Sequence, residues 1–489
     1  MSLLPDLLTA ARRVLRNDQL ILALLSLLVG LIVAWLVLLF REGILFFHGQ
    51  FFDAQGERLY DYVKQLPWWR ILMVPTLGGL AVGLLVRYGM PQSRPQGVAD
   101  VIEASAMHGG HMSTSVGLRA AFISMLSIGV GASVGREGPA VHIGAALGAG
   151  LAKRLHLTRA LSRTLLGCGV AAAVAASFNA PIAGALFVGE VVLGHYALKT
   201  FAPVVISSVT ATAVSRAYLG DFPAFALPPH AISSYFELPA FAVLGVLAGF
   251  VATALMMGVF RTQEWAPRLP GPHFLRPAFG GFALGLIALV LPQVLGVGYG
   301  ATDDALLGQM GLWMLLAVLL AKMLAVSISL GTGFGGGIFS PSLMVGAMLG
   351  GAYGIIATSV FPAVDAGIGA YTLVGMGAVA AATLGAPIST TLIIFEMTGD
   401  YELTLGVMLA VVISTAITRK TIGRSFFAQQ LINRGLDLKG GFETQVLRAR
   451  FVADVMNKAV ETVGPEVPLS RLRALLQTSR SGELFVVGK

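Results

Sequence analysis

The sequence predicts an all-α polytopic membrane protein with a fold of two related halves, and three observations carry that expectation. Of 489 residues, 56% are hydrophobic and only 12% charged, with a mean hydropathy of +0.79. Soluble domains carry about 25% charged residues, so too few polar side chains exist here to coat a 51.1 kDa particle in water. A soluble enzyme, a disordered chain and a nucleic-acid binder all fit poorly. Glycine is also in excess, 60 residues against the usual ~7%; it lets helices approach closely and lets the backbone break where side chains would block it. The third observation is an internal repeat. Gly135-Arg-Glu-Gly-Pro139 and Gly337-Ile-Phe-Ser-Pro341 share G-x-x-x-P at an offset of 202, and Gly144/Gly148 and Gly346/Gly350 keep the same step. Further on, Ala180-Pro-Ile182 with Leu186 and Glu190 matches Ala386-Pro-Ile388 with Leu392 and Glu396 at an offset of 206.

Taken in order, residues 1–18 read as a cytoplasmic amphipathic helix, leucines on one side and arginines on the other. Residues 19–40 carry no charge, enough for one crossing at ~20 residues. Further apolar segments lie near 70–87, 117–134, 140–152, 161–176, 200–215, 238–260, 277–295, 305–330, 341–361, 369–382, 387–398 and 403–418. Several are too short for a simple span and predict tilted, re-entrant or half-helices. The stretch 323–364 has no charge in 42 residues, yet five of the seven residues 331–337 are glycine. Such a run cannot hold a continuous helix, and broken backbone at membrane depth must be buried in protein or line a watery cavity. The two membrane repeats are thus expected at 19–220 and 221–420. A basic linker follows at 421–450, then a partial soluble domain at 451–489 with a helix at 470–478 and a strand starting near Leu484. Arg12, Arg13 and Arg16 precede the first span and Arg419, Lys420 and Arg424 follow the last, which places both termini on the cytoplasmic side of a bacterial inner membrane. No cleavable signal peptide is expected.

Arg136 and Glu137 are the sharpest chemical feature, an ionisable pair flanked on both sides by about 15 uncharged residues. Such a pair inside a membrane marks a functional site or a buried ion pair or cap. The repeat favours function. Both G-x-x-x-P segments read as loops feeding helix N-termini, with proline in the first turn, and orphan N–H groups there make anion sites. The backbone around Gly135, Arg136, Gly138 and Gly337 is therefore a candidate anion cradle, with Glu137 a titratable competitor for it. Glu190 and Glu396, equivalent in the two halves, read as architecture; Glu103 reads as a cap or ion-pair member. Gly131-Ala-Ser-Val-Gly135 fits a nucleophile elbow and Gly331/Gly333/Gly336 a dinucleotide fingerprint, but neither has the strand that its chemistry needs. The single Cys168 and eight histidines, His142 and His195 among them, show no metal-ligand spacing, so no metal and no cofactor are expected.

Together, Gly135–Pro139, Gly337–Pro341 and the two A-P-I…E segments resemble the CLC family of chloride channels and chloride/proton exchangers, over roughly residues 20–430. The tail from Phe451 resembles the start of a CBS domain. The resemblance implies inverted repeats with broken helices and a homodimer with one anion pathway per subunit. It makes Glu137 the gating glutamate and gives the backbone N–H groups of Ile338 and Phe339 the central anion. Three positions depart from the family pattern: Gly97 stands for an anion-coordinating serine, Phe427 for the pore tyrosine, and Val191 for an exchanger's inner proton glutamate. The expected function is therefore transport of chloride and similar small anions across a lipid bilayer, gated by protons at Glu137. A passive voltage- or pH-gated channel is the reading that Val191 favours; a proton-coupled antiporter is the alternative.

Overall fold

The computed structural model describes residues 18–196, 198–220, 225, 237–360, 367–437, 461–478 and 484–488. The expected amphipathic helix lies outside these apart from Asp18, as do residues 438–460. The chain forms two compact units, Met1–Leu436 and Asp437–Lys489.

The named elements of the first unit are all helices. Helix α1 (Asp18–Phe52) has 35 residues, about 52 Å of rise, well beyond a ~30 Å hydrocarbon core. It is followed by the short α2 (Leu59–Val63), α3 (Trp68–Gly89), α4 (Val98–Met107) and α5 (Thr114–Gly129). Next come α6 (Glu137–Arg154), α7 (Arg159–Phe178) and α8 (Pro181–Phe187), which continues as a π-helical turn over Val188–Leu193, then α9 (Leu198–Leu219). The second half holds α10 (Leu238–Trp265), α11 (Arg276–Val290), α12 (Tyr299–Leu306), α13 (Leu312–Thr332) and α14 (Phe339–Val360). It closes with α15 (Gly367–Leu384), α16 (Pro387–Thr398), α17 (Tyr401–Thr421) and α18 (Phe426–Asn433). Among the described residues, nine helical segments are long and apolar enough to cross a membrane. Two further apolar helices are shorter, α5 and α8 with its π-helical continuation, as the interrupted apolar pattern requires.

The repeat is visible as contacts between equivalent positions. Gly135 and Gly337 form an antiparallel bridge, each N–H donating to the other's carbonyl at 2.7 and 2.8 Å. Ser133 N–H bonds Ser329 Oγ while Gly335 N–H bonds Ser127 Oγ, both at 3.1 Å. Residues exchanged in this reciprocal way must straddle a local two-fold axis, and their antiparallel course means that the two halves run in opposite directions beside it. The same offset extends to α3 and α11: a side chain at Gly79 would strike the Pro277 carbonyl, and one at Gly281 the Pro75 carbonyl. Within each half, Gly144 and Gly148 lie against α7 backbone, and Gly346 and Gly350 against α15 backbone. These are small-residue packing faces, for which lipid offers no hydrophobic substitute.

The structure departs from the sequence expectation over residues 421–436. A basic linker was expected, but Ser425 caps α18, whose Phe426, Phe427 and Leu431 are buried in the first unit. The basic residues of this stretch mask an amphipathic helix that has an apolar wall to pack on. In the second unit, β1 (Thr462–Val463) and β2 (Phe485–Val486) pair in parallel, separated in sequence by helix α19 (Leu469–Thr478).

Candidate functional site

Two broken segments meet on the two-fold. After α5 the chain turns at Gly131, whose φ of +90° suits only glycine, and reaches Glu137 at the first position of α6. After α13 the chain leaves through Gly333 at φ +104° and enters α14 at Phe339. The Gly135–Gly337 bridge holds the two helix N-termini together. The close approach of Gly138 to the Gly337 backbone, 3.0 Å from where a Cβ would stand, explains why these loops are glycine-rich. No described residue accepts from the N–H groups of Gly138, Ile338 or Phe339, so these first-turn donors remain available at the positive helix ends.

The Glu137 side chain is 1% exposed. It leans across onto α14: Ser340 N–H donates to Oε2 at 3.3 Å, the Ser340 hydroxyl donates to Oε1, and the Tyr299 hydroxyl donates to Oε1 at 3.1 Å. A carboxylate therefore occupies donors at a helix N-terminus. Arg136 turns the other way. Its Nη1 meets Glu57 Oε1 at 2.8 Å, its guanidinium lies 4.6 Å from the centre of the Tyr299 ring, and its Nε is 3.9 Å from Glu137. Arg41 holds the same Glu57 oxygen at 2.7 Å. Burial alone would raise the Glu57 carboxyl, but the two guanidiniums outweigh it and hold it down at about 2.

A cavity of about 650 Å³ is lined by Gly97, Gly138, Gly337, Ile338 and Phe427 together with Arg87, Arg94, Arg276 and Arg434. Asp100 lies on its wall, paired with Arg94 at 2.7 Å and Arg434 at 3.1 Å, and Arg434 also reaches Glu103 at 3.6 Å. Asp100 takes the Gly97 N–H as well, at 2.8 Å, and so closes the first turn of α4. A second chamber, of about 30 Å³, is lined by Arg136, Tyr299, Glu57 and His48 among others, and Tyr299 connects it to Glu137 through its hydroxyl bond. Arg136 lines one cavity and Gly138 the other, the two residues that flank Glu137 in the chain.

Of the residues singled out in the sequence, Gly135, Arg136, Glu137, Gly138, Gly337, Ile338 and Phe339 converge, and Gly97 and Phe427 face the larger cavity. The Phe339 ring packs on Phe178 and Phe187, with centroids 4.8 and 6.2 Å away. Val191 lies apart from both cavities, in the π-helical turn, packed against the core. Its neighbour Glu190 accepts from the Ile388 and Ser389 N–H groups at 2.9 and 2.8 Å and from Ser389 Oγ at 2.5 Å. Glu396 mirrors it on the Ile182 and Ala183 N–H groups, both at 2.8 Å. Each glutamate thus caps the helix that opens the other half's A-P-I segment, which is the architectural role expected of the pair.

Sequence reasoning did not single out Lys322, a further ionisable group on a membrane-spanning helix. Its side chain on α13 is fully buried, and Nζ donates to the Val294 and Gly296 carbonyls at 3.1 and 2.8 Å. That bond pair holds the loop from which Tyr299 enters α12. The lone charge in an otherwise apolar helix was the available signal. Tyr299 and Glu57 were also missed, with nothing in their local sequence to mark them; Ser340 lay inside the singled-out Gly337–Pro341 segment but was given no role of its own.

The voltage gated chloride channel family profile matches residues 78–419. A ClcB-like protein of Ralstonia nicotianae is 36% identical over 77% of this chain and 88% of its own length. The voltage-gated ClC-type chloride channel ClcB of Escherichia coli is 33% identical over 83% of this chain and 97% of its own. Among solved structures, a slow cyanobacterial Cl-/H+ antiporter superposes with a TM-score of 0.76 at 22% identity, covering 86% of this chain and 98% of that one. A eukaryotic CLC transporter does so at 0.68 and 20% identity, covering 96% and 84%.

Proposed function

Because the chain belongs to the voltage-gated chloride channel (CLC) family, whose fold and chloride transport it shares, we propose that it is a passive, proton-gated anion channel with Glu137 as the gate. The observation that carries this reading is the Glu137 carboxylate bonded to the Ser340 N–H at the α14 N-terminus. An anion-binding helix end is filled by a side-chain anion. Protonation removes the charge that those donors hold, the side chain leaves, and a chloride takes its place on the N–H groups of Gly138, Ile338 and Phe339. The Gly135–Gly337 bridge keeps the two helix ends in register, and the four arginines around the larger cavity raise the local anion concentration. With Gly97 and Phe427 in place of hydroxyl-bearing residues, that cavity offers an arriving anion fewer side-chain donors, and selectivity among small anions rests on the backbone.

Two observations favour a channel over an exchanger. Val191 cannot carry a proton, and both oxygens of the neighbouring Glu190 are committed to capping α16. We further read the protein as a homodimer in the cytoplasmic membrane, with both termini inside and the start of a CBS-like domain after the pore. The deciding experiment is reconstitution into liposomes with a chloride gradient, reading the reversal potential while the proton gradient is varied. A channel follows chloride alone; a potential that moves with the proton gradient establishes exchange and overturns the channel reading.

A further inference from the structure

The 30 Å³ chamber lined by Arg136 and Tyr299 has a donor–acceptor pattern that selects its occupant. His48 is 4% exposed, and its Nε2 lies 3.1 Å from the Ile128 carbonyl. A carbonyl only accepts, so Nε2 carries a proton, and in the neutral ring Nδ1 is then a lone-pair acceptor. Nδ1 is buried and bonded to nothing. Gln293 is 7% exposed and its Oε1 is likewise buried without a donor. Both side chains line the same chamber as Tyr299. Two buried acceptors left unmade cost about 1–3 kcal/mol each, and the space is that of about one water molecule. A chloride would bring no hydrogen to either lone pair. The cations on the wall, Arg41 and Arg136, already share Glu57, and Lys322 is turned behind it onto the Gly296 carbonyl. Tyr60, also on the wall, donates to Asp304.

We propose that this chamber holds a water molecule that delivers protons to Glu137 through the Tyr299 hydroxyl. The inference rests on Glu137 as the gate and adds the route by which a carboxylate only 1% exposed is protonated. The transfer balances in two linked exchanges. An O–H bond of a hydronium in the chamber breaks as a bond to Tyr299 Oη forms, and the original Oη–H proton passes to Glu137 Oε1, 3.1 Å away. Tyr299 ends neutral, the chamber keeps a neutral water, and Glu137 has gained one proton from the bulk. Arg136 lies over the Tyr299 ring and packs against its face.

The test is an acid jump on the full chain in liposomes, from about pH 7.5 to about pH 4.5, following the relaxation of chloride flux in light and in heavy water. The wild type should relax with a solvent isotope effect. Tyr299→Phe should relax at least ~10-fold more slowly and lose that isotope effect. A double variant, His48→Leu with Gln293→Leu, removes both acceptors and should slow the relaxation with Tyr299 still present; it decides the question even if Tyr299→Phe does not fold. Wild-type relaxation rates in these variants, or a bromide found in the chamber by anomalous diffraction, overturn the proposal. Glu137→Gln tests the underlying reading separately: it should show no relaxation at all, and a wild-type response there would sink the gate itself.

Discussion

Ser340→Ala isolates one hydrogen bond to the gate. It removes the hydroxyl that donates to Glu137 Oε1 and leaves the Ser340 N–H on Oε2 in place. A bond to a charged acceptor is worth about 1.5–3 kcal/mol, and 1.36 kcal/mol corresponds to one pH unit. The lost bond favoured the ionised, closed form, so closure should weaken and the acid midpoint of flux should rise by about 1–2 pH units. Ser340→Thr, which keeps the hydroxyl, should leave the midpoint near wild type. The assay is chloride efflux from liposomes under voltage clamp by valinomycin and potassium, titrated across the acid range. A midpoint in Ser340→Ala that is unchanged or moves toward lower pH would refute the assignment of Ser340 as a clasp on the closed gate.

Three further outcomes follow from the geometry. Glu396→Ala leaves the Ile182 and Ala183 N–H groups without their acceptor and should lower stability by about 2–4 kcal/mol, read as a fall in the unfolding midpoint of the detergent-solubilised protein; a loss below about 1 kcal/mol would show that water replaces the cap. His142 is 1% exposed with neither ring nitrogen bonded, so His142→Leu should raise thermal stability by about 1–2 kcal/mol, and a fall would mean that a partner fills the site. Glu57, moved from 4.5 to about 2 by Arg136 and Arg41 against its burial, has a depressed folded-state value; its ~3 kcal/mol contribution is therefore present above the unfolded carboxyl range and fades as pH falls toward 2. Glu57→Gln should flatten the stability–pH curve between about pH 5 and pH 3, and an unchanged slope in differential scanning would refute the pairing.

How much of this was legible in sequence depended on whether the signal was local or repeated. The glycine run 331–337 announced a break because five glycines cannot hold a helix, and the break is where the site lies. Glu190 and Glu396 could be read as architecture because their equivalence in the two halves was visible before either partner was known. The segment 421–436 was misread because Arg424 and Arg434 suggested a solvated linker, while the burial of Phe426 and Phe427 depends on walls supplied from elsewhere in the chain. Lys322 was overlooked because its partners are two carbonyls, which no side-chain pattern encodes.

By itself, the sequence determined the membrane solvent, the doubled architecture and the two loop-to-helix segments. Those follow from hydropathy, from glycine's backbone freedom and from periodic recurrence, all of which act over short stretches or repeat along the chain. Only the tertiary structure decided what holds the gate. Glu137 draws Ser340 from 203 positions away and Tyr299 from 162, and Arg136 draws Glu57 from 79. A serine, a tyrosine and a glutamate acquire such roles from burial beside a charge in a medium of low dielectric, where each hydrogen bond is strong and each missing one is costly. That environment exists only once the two halves have closed on their common axis.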